Sequence, residues 1–168
     1  TLYSSGTSLT VTQSAFMTNE LGMQVAGGTA TITNTTFGAN TNTGLRVNGG
    51  TTTLNNVTFA DNATGLDWMS GSLTLHNTLV ANSTSANCAV AVTDGGTNLE
   101  WNTSVCGFSP PPNPGNPQLN AASGSPAYYS LRSNSAAINA GSAPCPATDQ
   151  RGQARSAGQC DIGAYEYP

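Results

Sequence analysis

Four short runs alternate aliphatic and hydroxyl residues: Leu9-Thr10-Val11-Thr12, Ala30-Thr31-Ile32-Thr33, Thr52-Thr53-Leu54-Asn55 and Leu73-Thr74-Leu75-His76. Period-two alternation puts Val11, Ile32, Leu54 and Leu75 on one face and Thr10, Thr31, Thr53 and Thr74 on the other, so each run predicts a half-buried strand. Behind each run comes an F-x-x-N tetrapeptide: Phe16-Met17-Thr18-Asn19, Phe37-Gly38-Ala39-Asn40, Phe59-Ala60-Asp61-Asn62 and the weaker Leu79-Val80-Ala81-Asn82, spaced 21, 22 and 20 apart. Gly27-Gly28, Gly49-Gly50 and Gly71 mark a recurring turn with positive φ or a close backbone neighbour. A repeat of this length is a solenoid signature. A coil of about 21 residues has room for three short strands and three turns, the circumference of a right-handed parallel β-helix. The L-x-x-L-x-L-x-x-N pattern of a leucine-rich repeat is absent, and no segment carries the apolar stripe of a helix.

Stacked coils place like residues in columns. Phe16, Phe37 and Phe59 form one core stack; Val11, Ile32, Leu54 and Leu75 form another. Asn19, Asn40, Asn62 and Asn82 fall in a column, as do Gln13, Asn34, Asn56 and Asn77. A buried amide can donate to one rung and accept from the next, so both columns are expected to be asparagine ladders that satisfy turn groups otherwise unpaired. Residues 1–104 are read as coils, with Asp94–Trp101 as a further strand. Residues 105–168 are read as a Pro-rich excursion, Ser109–Pro117, followed by a capping segment of the same domain. Within that segment Ala127–Leu131 and Ala136–Asn139 are expected to be short strands closing the open end, whose last rung would otherwise be a bare sheet edge.

Composition narrows the classes. The 168 residues include four Arg, no Lys and eight acids, a net charge of −4, which provides no basic footprint for nucleic acid or anionic lipid. No apolar run is long enough to span a membrane as a helix, and the chain starts inside a partial coil without Met, as expected of a piece or mature form of a longer exported precursor. The four cysteines, Cys88, Cys106, Cys145 and Cys160, lack C-x-x-C spacing and lie far in sequence from the single His76, which argues against zinc. Of three possible pairings the sequential one, Cys88–Cys106 and Cys145–Cys160, staples the two irregular parts. Paired cysteines imply an oxidising, extracytoplasmic location. Asp149, Arg151, Arg155, Asp161 and Glu166 concentrate five of twelve charges in eighteen residues. Arg–carboxylate pairing that pins the tail is the expected reading; a carbohydrate or metal site is the alternative.

Asp149-Gln150-Arg151-Gly152-Gln153-Ala154-Arg155, followed by Cys160-Asp161-Ile162-Gly163-Ala164-Tyr165-Glu166-Tyr167, resembles the D-x-R-G-x-x-R…C-D-I-G-A-[FY]-E ending of bacterial surface β-helix proteins known as choice-of-anchor Q domain proteins. Asn116-Pro117-Gln118-Leu119 and Ser133–Gly141 are similar to that family's D-P-x-L and G-S-P-A-I-D-A-G segments, with Asn139 where the family usually has Asp. The F-x-x-N copies separately resemble the repeats of chlamydial polymorphic outer membrane proteins. These resemblances imply an exported bacterial surface β-helix, usually without assigned catalysis.

The function expected from all this is a structural or adhesive surface protein. Its partners would be further copies of itself, as a homo-oligomer or filament, or surfaces and glycans of a host or environment; nucleic acid and membrane insertion are not expected, and no cofactor or catalytic residue is assigned. Two other readings stand beside it. A polysaccharide lyase or hydrolase would need clustered carboxylates, whereas here Gln24, Arg46 and Asp67 share a column in which Arg46 and Asp67 should meet. An ice-binding solenoid would need a flat T-x-T array, which Thr10-x-Thr12 and Thr31-x-Thr33 begin and Asn55 and His76 interrupt.

Overall fold

The computed structural model describes residues 1–102, 105–108, 115–156 and 158–168. Its strands are β1 (Leu2–Ser4), β2 (Ser8–Thr12), β3 (Ala15–Met17), β4 (Leu21–Val25), β5 (Thr29–Thr33), β6 (Thr36–Gly38), β7 (Thr43–Val47), β8 (Thr51–Asn55), β9 (Thr58–Ala60), β10 (Thr64–Trp68), β11 (Ser72–His76), β12 (Leu79–Ala81), β13 (Ala86–Cys88), β14 (Thr93–Asp94) and β15 (Leu99–Trp101). Every third strand pairs in parallel. Sheet A is β1-β4-β7-β10-β13, sheet B is β2-β5-β8-β11-β14 and sheet C is β3-β6-β9-β12-β15. The chain is thus a parallel β-helix of five coils, three strands to a coil, and no helix occurs among the described residues.

Register follows from side-chain identity, since a one-residue slip would turn every inward residue outward. Val11 pairs with Ile32, Ile32 with Leu54 and Leu54 with Leu75. Phe16, Phe37 and Phe59 lie over one another with ring centroids 5.0 and 4.8 Å apart and nearly parallel planes. The corner between sheets A and B needs glycine: Gly50 has φ +74°, and a Cβ there would sit 2.3 Å from the carbonyl oxygen of Gly28.

Four sequence expectations change. In the fourth coil Val80, not Leu79, pairs with Phe59, so that coil is offset by one residue from the F-x-x-N alignment. Asn82 consequently leaves the ladder: it is exposed with φ 58°, in the turn column of Thr18, Ala39 and Asp61. The ladder position is Ser83, a side chain too short to reach back to a carbonyl of the preceding rung as Asn40 and Asn62 do. Its main-chain N–H donates to Asn87 Oδ1 instead (3.2 Å), and Asn87 Nδ2 donates to the Trp101 carbonyl (2.8 Å).

Residues 94–101 are not one strand but a corner: β14 belongs to sheet B, β15 to sheet C, and Gly95-Gly96 turns between them. In the tail, Ala127–Leu131 and Ala136–Asn139 are not strands. The described tail has only isolated antiparallel bridges, Leu119 with Leu131, Ser123 with Tyr128 and Thr148 with Ala154. Of the Pro-rich stretch, residues 109–114 lie outside the described residues.

The tail, finally, does not close the end of the solenoid. Cys106 joins the interior core at that end, with Phe108 packed against it, and the Glu100 carboxylate accepts the N–H groups of Val105 and Cys106. From Gly115 onward the chain turns back and lies along the outside of sheet C, where Leu131, Ala136, Ala137, Ile162 and Tyr165 pack on Leu79, Ala81 and Leu99. The reason is written in the outward positions of sheet C, most of which are small or apolar (Gly38, Ala60, Leu79, Ala81, Leu99 and Trp101), while the two hydroxyls among them, Thr36 and Thr58, bond to Gln150 and Ala164 of the tail. Such a face must be covered.

Candidate functional site

Two of the three sheet faces carry the outward chemistry, and the tail decides which. The column Gln13, Asn34, Asn56 and Asn77 sits at the corner between sheets B and C with φ of 47–50°, a left-handed conformation that Asn tolerates. Here the ladder forms only between Asn77 and Asn56, where Asn77 Nδ2 donates to Asn56 Oδ1 at 3.4 Å, and for a physical reason. Each turn N–H is already satisfied by main chain of the next rung, Asn34 by the Asn55 carbonyl at 3.1 Å and Asn56 by that of His76 at 3.0 Å, so the side chains are free for another task. They hold the tail. Gln13 Nε2 donates to the Asp149 carbonyl (3.1 Å), Asn34 Nδ2 to that of Thr148 (2.7 Å), and Asn56 Nδ2 to that of Asp161 (3.0 Å). Asn77 donates to the Ser142 carbonyl and accepts its N–H, at 2.8 and 2.9 Å. The ladder does form at Asn19, Asn40 and Asn62: Asn19 N–H donates to Asn40 Oδ1 (3.0 Å), Asn40 N–H to Asn62 Oδ1 (3.1 Å), and the amide nitrogens of Asn40 and Asn62 reach back to the carbonyls of Phe16 and Phe37.

The charged residues of the tail form a closed knot. Asp149 is buried; its Oδ1 accepts the N–H of Arg151 and of Gln153, and its Oδ2 accepts Arg151 Nε (2.8 Å) and the N–H of Glu166 (3.0 Å). Arg151 lies over the Tyr165 ring, 3.8 Å from its centroid. Arg155 Nη1 meets Glu166 Oε2 at 2.8 Å while its Nη2 donates to Asn34 Oδ1 (3.0 Å) and to the Gly163 carbonyl (2.8 Å). Burial holds the Arg155 guanidinium below its ordinary pKa, and Glu166 opposes that. Glu166 also accepts the N–H of Ser156 and of Asp161, and Asp161 accepts those of Asn139 (2.8 Å) and Tyr167 (2.6 Å). Every oxygen of these three carboxylates thus has a donor from the chain itself, which makes the cluster a fastening. Cys88 is bonded to Cys106, and Cys145 to Cys160. Among the described residues no group of three His, Cys, Asp or Glu side chains is placed to hold a metal ion.

Sheet A presents Tyr3, Gln24, Arg46 and Asp67 in one outward column. Arg46 Nε and Asp67 Oδ2 are 2.8 Å apart and partly exposed, a contact worth under about 1 kcal/mol.

Sheet B is exposed or half-buried along its first two outward rows, and its outward positions are in register across four coils. The first row is Ser8, Thr29, Thr51 and Ser72, the second Thr10, Thr31, Thr53 and Thr74, and the third Thr12, Thr33, Asn55 and His76. The first two rows are complete in hydroxyls; reading the array on the second and third rows alone hid this. The third row borders a groove of about 320 Å³ lined by Thr33, Asn55, Pro144, Cys145 and Pro146. At its end His76 Nε2 lies 3.5 Å from Ser142 Oγ, and burial lowers the His76 pKa against the pull of Asp94, so the ring adds little charge to the face at neutral pH. The outward array is the candidate site: an uncharged, in-register lattice of hydroxyls on a parallel sheet. No family model, curated protein or solved structure matches the chain.

Proposed function

We propose that this is an exported bacterial surface protein with a structural and adhesive role, a rod that meets other surfaces through sheet B. The observation that carries this reading is that the tail packs over sheet C, reaches sheet B only at its third row beside Thr33, Asn55 and His76, and leaves the first two hydroxyl rows exposed or half-buried over four rungs. The two disulfides fit an oxidising compartment outside the cytoplasm, and the tail motif, similar to that of choice-of-anchor Q proteins, now has a mechanical sense as the fastening of a β-helix. Contact rather than catalysis is the role inferred, since the tail carboxylates are saturated and Arg46 is engaged with Asp67.

Self-association is part of the same proposal: β1, β2 and β3 are sheet edges that pair on one side only among the described residues, and such edges accept further strands. The test is retention of purified protein on polysaccharide and mineral surfaces, together with electron microscopy. Retention lost on placing Tyr at Thr31 and Thr53 supports adhesion through sheet B, and rods with a regular axial repeat support assembly. Dispersed monomers retained on no surface would overturn the reading.

A further inference from the structure

We infer that the outward face of sheet B binds ice. The inference rests on the adhesive reading above and names the surface it meets. Adjacent rungs of a parallel sheet lie about 4.8 Å apart, and successive outward residues along a strand about 6.7 Å apart. The eight hydroxyls of Ser8, Thr10, Thr29, Thr31, Thr51, Thr53, Ser72 and Thr74 therefore form a two-row grid with these repeats, close to the oxygen repeats on a prism face of hexagonal ice. β-Branching restricts χ1 of each Thr, and in-register neighbours on both sides restrict Thr29, Thr31, Thr51, Thr53 and Thr74 further, so the grid is ordered before any ligand arrives. Waters held by such a grid lose little additional freedom on joining a crystal.

What the face lacks points the same way. It has no aromatic or Arg anchor, the groups that dominate protein interfaces, and neither row contains a charge that would hold hydration water away from a neutral lattice. The third row, where Asn55 and His76 stand beside the groove, forms the border of the grid.

The experiment measures thermal hysteresis, crystal shape and partition into a growing ice hemisphere with the full chain. The wild type is expected to facet ice and to be enriched in it. The double variant Thr31→Tyr and Thr53→Tyr, whose side chains stand proud of the grid, is expected to lose both properties with its melting temperature unchanged, whereas Gln24→Tyr on sheet A keeps them. Wild-type protein that leaves ice unshaped and is excluded from it would overturn the inference. If that protein is still retained on polysaccharide through sheet B, the adhesive reading survives and the ligand is a glycan; if it is retained on nothing, both readings fall.

Discussion

Sheets B and C have the same parallel register and the same five rungs, yet the first two outward rows of one are open while the other is covered by the tail. The difference lies in a few outward side chains. Where sheet B turns out Thr31 and Thr53 between further hydroxyls, sheet C turns out Gly38, Ala60, Leu79 and Leu99 beside Thr36 and Thr58, and the tail packs on the apolar set and bonds both hydroxyls. A solenoid is otherwise quasi-one-dimensional, each coil touching only its neighbours. The tail changes this, because it bonds to Gln13 in the first coil and Asn77 in the fourth and so splints coils that have no contact of their own.

The most damaging way to break the contrast is Arg155→Ala. It leaves Glu166 buried without its partner, and a loss of about 3–5 kcal/mol is expected in denaturant unfolding, with a separate early transition as the tail leaves sheet C. Replacing Cys145 and Cys160 together by Ser opens a loop of 16 residues and should cost about 3 kcal/mol, measured the same way. Next comes Thr58→Val on the covered face. The Thr58 hydroxyl accepts the N–H of Ala164 at 2.9 Å, so its removal strands a buried donor at about 1–3 kcal/mol.

A pH series sharpens the picture further. Burial pushes the Asp161 carboxyl up to about 6, against its bonds from Asn139 and Tyr167. A carboxyl that is harder to ionise when folded binds more protons in the native state. Its contribution to stability therefore grows as pH falls from 7 through 6 and levels off near the unfolded value of about 4. The melting temperature should rise by a few degrees over that range in wild type and stay flatter in Asp161→Asn. The smallest effect belongs to Thr53→Val in the second outward row of sheet B, expected within about 0.5 kcal/mol of wild type. A large loss there would mean that sheet B is not free.

Much of the coil region was legible because repetition reports register: Phe16, Phe37 and Phe59, the Ile32–Leu54 column and the Asn40–Asn62 ladder each recur at the coil length. The fourth coil was misjudged because Leu79 and Val80 are both apolar and only pairing reveals which faces inward. The tail was least legible. Its residues occur once, so periodicity says nothing of where they lie, and the amides of Asn34, Asn56 and Asn77 look alike whether they ladder or grip another segment. A usable signal was present in the outward neighbours of the Phe column, Gly38, Ala60 and Ala81, which suit a covered face.

Native-state hydrogen exchange tests the central claim most directly. If the tail is fastened along sheet C, the N–H groups of Gln150, Ile162, Gly163 and Ala164, bonded to Ala164, Ala137, Asn77 and Thr58 respectively, should be protected to a degree comparable with those of Leu54 and Phe59, and Arg155→Ala should release the tail amides while sparing the coil amides. Tail amides that exchange at unstructured rates in the wild type, beside protected coils, would contradict the account.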